Sequence, residues 1–286
     1  MGRTAQGFYR CATCRRDAQA VDASAGPAHS EPNAREVISR AQSTSGPLQY
    51  GVPLRRIAAL NIRHGGGTEG RMDNLVARLL SYDADVLVVS EFRANKHGVR
   101  LIDELERSGY GTSHPGAEAT QNSVLIASRN LIQRSWSFPG ALDGRHLWCA
   151  DTSGIAICGV YMPQKREKLP YWESLILRAR RSGIDLCIGD FNTGNNNLDK
   201  DPEGARFIGP EMPGRFIDSG YVDVWRSLHP RRREYSWFSP GAYNGFRIDH
   251  AYATPKLARR VSTCEFDQTP RIRGESDHAA LIVSLR

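Results

Sequence analysis

Long apolar runs are missing from this chain. No stretch approaches the roughly 18 consecutive apolar residues that a membrane span needs. Met1 to Arg16 carries arginines but no apolar segment of the kind that drives export, so neither membrane insertion nor secretion is expected. Cysteine is scarce as well, with six in 286 residues. Three of them sit inside apolar runs, where a reduced thiol packs as a small hydrophobe; a disulfide scaffold is excluded and a reducing, cytosolic compartment is expected. There is no internal repeat. The glycines of the His64–Gly67 run are not followed by Gly-Lys-Ser/Thr, so the run is not a phosphate-cradling P-loop and reads as a flexible turn.

What is present is an ordinary globular composition, with 40% hydrophobic, 24% charged and 8% aromatic residues, which rules out collagen and wholesale disorder. Lys plus Arg exceeds Asp plus Glu by 38 to 31, a formal charge of +7 that suits a partner rich in phosphate. Arg231-Arg232-Arg233, the group Lys165, Arg166 and Lys168, and the pair Arg271 and Arg273 are the basic clusters. Each reads equally as a phosphate contact or a solvated face.

The texture changes once. Residues 1–54 are rich in Ala, Ser, Gly, Pro and Gln with no sustained period and read as a flexible extension. Cys11 and Cys14 have the spacing of half a zinc site, but only His29 lies nearby as a further soft ligand, so the pair is expected to be unliganded. Residues 55–286 form the expected domain. Short β-branched runs bounded by Gly, Asp or Asn predict strands at Arg56 to Asn61, Asp85 to Glu91, Ser123 to Ala127, His146 to Ala150, Ile155 to Tyr161 and Leu186 to Gly189. Further strands are predicted at Arg247 to Ala253, Ser262 to Phe266 and Ala279 to Leu285. Helices are predicted after the glycine run, with Met72, Leu75, Val76, Leu79 and Leu80 on one face, and over Tyr171 to Arg181, with Trp172, Leu175, Ile176 and Ala179 on one side. Hairpin-like strand pairs with interspersed helices lack a strict βαβ repeat. The expected fold is therefore α/β (α+β), a four-layer sandwich of two packed mixed β-sheets flanked by helices.

Nearly every one of these buried strands ends in a residue capable of phosphate chemistry: Asn61, Glu91, Tyr161, Asp190 with Asn192, Asp249, and Asp277 with His278. Polar groups at the edge of an apolar layer are costly unless they pair or bind a ligand. The motifs Leu60-Asn61-Ile62, Ser90-Glu91, Val160-Tyr161-Met162-Pro163, Gly189-Asp190-Phe191-Asn192, Tyr235-Ser236-Trp237-Phe238, Arg247-Ile248-Asp249 and Ser276-Asp277-His278 occur in the order of the endonuclease/exonuclease/phosphatase superfamily. Within it the chain resembles the exonuclease III type of abasic-site endonucleases, from about Arg55 to Arg286.

The resemblance implies a set of roles. Glu91 is the principal ligand of Mg²⁺ or Mn²⁺, with Asp277 near the metal and Asn61 orienting Asp190 or a metal-bound water. Asp190 orients or deprotonates the attacking water, and Asn192 holds phosphate or water in line. His278 contacts the scissile phosphate and is fixed by Asp249, while Tyr161 donates to a phosphate oxygen. The implied reaction is metal-assisted hydrolysis of a phosphodiester without a covalent intermediate. The implied partner is double-stranded DNA, acted on by a monomer at abasic sites or 3′ ends in DNA repair.

Several other branches place a histidine where this chain has Tyr161, which favours the abasic-endonuclease branch. Trp237, Phe246 and Ile248 occupy the positions that line its pocket for a flipped-out baseless sugar, or else they pack as core. Two features depart from the pattern. Arg63 replaces the auxiliary Asn or Asp two residues after Asn61, and the segments around Tyr161 and between Trp237 and Asp249 are short, which reduces loops that would grip a duplex. The alternative reading keeps the metal site but takes RNA or a small phosphoester. A catalytically silent binder is disfavoured, because a carboxylate cluster repels phosphate unless a metal is present.

Overall fold

The computed structural model describes residues 52–116 and 118–286. Most of the expected extension, including Cys11, Cys14 and His29, lies outside the described residues. From there the chain runs through β1 (Arg56–Asn61), α1 (Glu69–Ser81), β2 (Val86–Phe92), α2 (Lys96–Arg107), β3 (Gly111–Ser113), β4 (Ser123–Ser128) and β5 (Ile132–Ser137). It continues with β6 (Leu147–Thr152), β7 (Ile155–Tyr161), α3 (Leu169–Arg178), β8 (Leu186–Asp190), α4 (Met212–Asp218), β9 (Val222–Asp223) and α5 (Val224–Leu228). The last elements are β10 (Trp237–Phe238), β11 (Gly245–Phe246), β12 (Asp249–Ala253), α6 (Pro255–Ala258), β13 (Val261–Asp267), α7 (Thr269–Ile272) and β14 (Ala280–Leu285). No described helix is long and apolar enough to cross a membrane.

The strands form two six-stranded sheets, ordered β13-β14-β1-β2-β4-β3 and β5-β6-β7-β8-β12-β9, with β10 and β11 as a separate hairpin. Each large sheet has one parallel pair at its centre, β1 with β2 and β7 with β8, flanked by antiparallel neighbours. This is the expected sandwich of two mixed sheets. Ile57, Val88, Ile126, Ile157 and Ile188 fill the space between the sheets. Met72, Leu75 and Leu79 of α1, with Leu101 and Leu105 of α2, cover the outer face of the first sheet. Trp172 and Leu175 of α3 and Phe216 of α4 cover the second. Central strands are thus buried on both faces, which is why they read as continuous apolar runs rather than alternating ones. Gly159 lets the sheets approach: a Cβ there would lie 2.6 Å from Val124 Cγ1. Cys149, Cys158, Cys187 and Cys264 are free, buried thiols.

Several boundaries differ from the sequence reading, each for a local reason. Leu54 is buried in the inter-sheet core. Helix α2 escapes the periodicity because it buries only Gly98, Leu101 and Leu105, with Ile102 partly buried beside them; its start is fixed by the Asn95 side chain, which accepts from the His97 and Gly98 N–H groups. Helix α3 begins two residues early, with Pro170 in its first turn, and stops at Arg178. The strand expected from Arg247 begins instead at Asp249, because the Arg247 N–H bonds to the Asp199 carbonyl and its guanidinium turns into a buried ion pair.

Candidate active site

Topology gathers the polar strand ends. Parallel neighbours finish at the same edge and antiparallel ones start there, so Tyr161 lies opposite Asp190 and Asp249 lies opposite Asp190 in the second sheet. In the first, Asn61 lies beside Ser90, and β14 begins two residues after His278. The Ser90 hydroxyl donates to the Val160 carbonyl at 2.9 Å, which ties the two edges together. A shift in the β2–β4 register falls between Ser90 and Phe92, and Glu91 at that irregularity has φ +57°.

At this edge Asn61 Nδ2 donates both to Glu91 Oε1 at 3.1 Å and to Asp190 Oδ2 at 2.9 Å. Its Oδ1 accepts from the Arg63 N–H. Asn61, grouped in the sequence reading with the metal residues and expected to orient Asp190, presents its amide nitrogen to both carboxylates and bridges them. Asp190 also accepts from the Asn192 N–H at 2.8 Å, and Asn192 Nδ2 donates to the Met162 carbonyl. His278 Nδ1 lies 2.8 Å from Asp249 Oδ2. Ser236 Oγ accepts from the Ile248 and Asp249 N–H groups, and Ser276 Oγ from the His278 N–H. Neither serine was singled out from sequence, since a serine reads as a turn residue until its partners are known.

The charges follow from burial. Desolvation, then the Asp249 carboxylate, pushes the Asp190 carboxyl up to about 7 against the pull of His278 and the Asn192 N–H. Burial draws the His278 imidazole down, but Asp249, with Asp190 and Asp277, outweighs it and pushes the ring up to about 10. His278 is therefore a cation at neutral pH, with Nδ1 committed to Asp249. Tyr161 is pushed up by burial and by Glu91, so its phenol stays protonated. Replacing Ser236 with alanine leaves two buried N–H groups unpaired. Stability is expected to fall by about 1–3 kcal/mol, which urea unfolding would measure.

The His64–Gly67 segment, expected to be a flexible turn, is instead anchored. The His64 N–H donates to Glu91 Oε2 at 2.7 Å, and the Gly65 N–H donates to the Glu91 carbonyl at 2.8 Å. Arg71 donates to the carbonyls of Gly66, Ile62 and Arg63. Five successive residues from Arg63 to Gly67 have φ between +50° and +83°, a conformation glycine tolerates best. Arg63 lies 4.0 Å from Asp277. Among the basic clusters, Lys168 is buried and donates to the Asn192 carbonyl, and burial pulls its amine down to about 8. Arg233 donates to the Lys200 carbonyl, Arg232 pairs with Glu234 and Glu265, and Arg271 lies over the Phe238 ring.

Trp237, Phe246 and Ile248 come together beside this cluster. Trp237 pairs with Phe246 in the hairpin and with His278 across an isolated bridge, and its indole N–H donates to Asp277 Oδ2 at 3.2 Å. Phe246 and Ile248 are buried, and the Phe246 ring packs edge-on against Phe207.

The donor set suits a hard divalent cation. Glu91 and Asp277 offer carboxylate oxygens, no thiol among the described residues lines the edge, and the neighbouring Asp249 and Glu91 carboxylates add to the burial that raises the Asp190 carboxyl. Among the described residues, Asp190, Asp249 and His278 bring ligand-type atoms within 4.8 Å of one another. There the His278–Asp249 ion pair already balances itself, so the Glu91 carboxylate, which accepts from the Asn61 amide and the His64 N–H, is the better cation donor.

A two-sheet sandwich carrying carboxylates and a cationic histidine on one shared edge is the scaffold of a phosphoester hydrolase. Residues 58–278 match the Endonuclease/Exonuclease/phosphatase family, and the chain belongs to it. It is thus an enzyme of the hydrolytic nuclease and phosphatase class. Among solved structures it is similar to an AP endonuclease from Archaeoglobus fulgidus, at 24% identity and TM-score 0.71, over 81% of this chain and 99% of that one. A 3′ phosphatase from Neisseria bound to product DNA hairpin matches at 23% identity and TM-score 0.71, with coverage of 81% and 99%. A 3′-5′ exonuclease from Neisseria meningitidis matches at 24% identity and TM-score 0.68, with coverage of 80% and 99%.

Proposed function

We propose that the protein is a Mg²⁺- or Mn²⁺-dependent phosphodiesterase of the exonuclease III type, acting on double-stranded DNA at abasic sites and on 3′ ends in repair. The observation that carries this reading is the grouping of Asp190, Asp249 and His278 at one sheet edge, facing Glu91 across Asn61. Glu91, with Asp277, would hold the cation, which when bound neutralises charge developing on the phosphate and the leaving oxygen. Asp190, held by Asn61 and Asn192 and poised near neutrality, takes a proton from the attacking water. His278, kept cationic by Asp249, donates to a phosphoryl oxygen through Nε2, and Tyr161 donates to another. Trp237, Phe246 and Ile248 form the apolar wall against which a baseless sugar would lie.

The test is cleavage of labelled duplexes in Mg²⁺ and in chelator, one holding an abasic analogue, one a recessed 3′ hydroxyl and one a 3′ phosphate. Incision 5′ of the lesion that stops on chelation is the expected result. A protein that leaves all three intact in Mg²⁺ and Mn²⁺ is not a DNA phosphodiesterase. Metal-dependent hydrolysis of RNA or a small phosphoester alone would keep the site and change the substrate.

A further inference from the structure

Three side chains that the mechanism does not use form a chain ending on Tyr161. Arg93 Nε donates to Asn122 Oδ1, and Asn122 Nδ2 donates to the Tyr161 hydroxyl oxygen at 2.9 Å. The second Arg93 nitrogen, Nη2, lies 3.1 Å from His64 Nδ1. The backbone builds this arrangement. Phe92 pairs with Ser123 just past the β2–β4 irregularity, which brings the two residues beyond them, Arg93 and Asn122, side by side. Gly65 makes room for the Arg93 stem, since a Cβ there would sit 2.9 Å from Arg93 Cβ.

The order of donors is forced. A guanidinium can only donate, so the Asn122 face turned to Arg93 must be its carbonyl oxygen, and its NH₂ must face the phenol. A hydroxyl has a single proton. With its oxygen accepting from Asn122, that proton is free for a group entering the site, and no described hydrogen bond of the protein consumes it. Accepting a bond from a chain headed by a cation also polarises the O–H and makes it a better donor.

We propose that Asn122, set by Arg93, is a positioning residue that aims the Tyr161 proton at a phosphoryl oxygen of the substrate. The inference rests on the hydrolase reading above. Asn122→Asp tests it, because a carboxylate there only accepts. It would take bonds from both Arg93 and the phenol and turn the proton away from the substrate, while its new ion pair with Arg93 preserves the fold.

The experiment measures kcat, KM and Tm for wild type, Asn122→Asp, Tyr161→Phe and the double variant in Mg²⁺. The substrates are the abasic duplex, the recessed duplex and bis(p-nitrophenyl) phosphate. Asn122→Asp is expected to lose about 10²-fold in kcat, to match Tyr161→Phe, and to keep its KM and Tm. The double variant is expected to be no worse than either single one. An Asn122→Asp protein with wild-type kcat, or losses that multiply in the double variant, overturns this inference alone. A wild-type protein inert toward all three substrates overturns the DNA phosphodiesterase reading and this inference with it.

Discussion

Asp190→Asn is expected to cost about 10²- to 10⁴-fold in metal-dependent hydrolysis and, at the same time, to stabilise the fold at alkaline pH. Asp190 is buried, and desolvation together with Asp249 pushes its carboxyl from 3.8 to about 7. A carboxyl whose folded pKa lies above its unfolded one favours the fold only while protonated. Its ionisation penalises folding progressively as pH rises from about 4 to 7. Asp190→Asn keeps the shape and removes the penalty. Its Tm in chelator should exceed that of wild type at pH 8, and the gap should close by pH 4. The same shifts set the pH–rate profile of the wild-type enzyme. Activity should rise through a limb at or below about 7, where Asp190 ionises, since a cation bound at Glu91 can only lower it. Activity should fall near 10, where His278 loses its proton. An Asp190→Asn protein that retains wild-type activity would remove the general-base role. One that is inactive but less stable at pH 8 would show that the loss is structural.

The largest stability effect is expected behind the site. Arg247 is almost fully buried and donates from Nε to Asp199 at 2.8 Å and from Nη1 and Nη2 to Asp223 at 3.1 and 2.6 Å. Burial would raise both carboxyls, but the Arg247 guanidinium outweighs it and holds them below the usual range. Arg226 gives Asp199 a second partner at 2.6 Å. Asp223 depends chiefly on Arg247, because its other contacts are the Arg226 N–H at 3.0 Å and His250 at 3.8 Å. Arg247→Met therefore strands a buried charge and should cost about 3–5 kcal/mol. The sign of its pH dependence is diagnostic. In wild type the depressed carboxyls contribute stability that is present above about pH 4 and lost as pH falls through their folded values. The variant lacks that contribution, so its deficit should be large at pH 7 and shrink toward pH 3. Urea unfolding at the two pH values measures it, and a deficit independent of pH would mean that the guanidinium acts there by packing alone. Because Arg247 directly precedes Ile248 and Asp249, the variant should also lose activity through a misplaced His278 partner.

The residues differ in how much of their role the sequence carried. Glu91, Asp190, Asn192, Asp249 and His278 were legible as candidates because each lies at or within two residues of one end of a short apolar strand, with a residue type that such a position does not otherwise favour, and because their order repeats a family pattern. The two-sheet architecture was legible for a related reason: strands covered on both faces are apolar throughout, whatever lies around them. Asn122, Arg93 and Ser236 were not legible. Each is a common surface or turn type, and its role exists only through a partner 12 to 39 residues away in the chain. Lys168 sat in a basic run that gave no sign of burial. The glycine run after His64 was visible, but its hydrogen bonds to Arg71 and to Glu91 are with partners that no local pattern encodes.

Hydrophobic periodicity and residue identity set the layers, the strand ends and the chemical types available at them, and both can be read along the chain. Which of those groups share a field follows from folding alone. The charge of His278, the near-neutral pKa of Asp190 and the direction of each amide depend on distances of about 3 Å between strands of different sheets. At that range burial and the donor or acceptor nature of a neighbour outweigh anything written next to the residue in the chain.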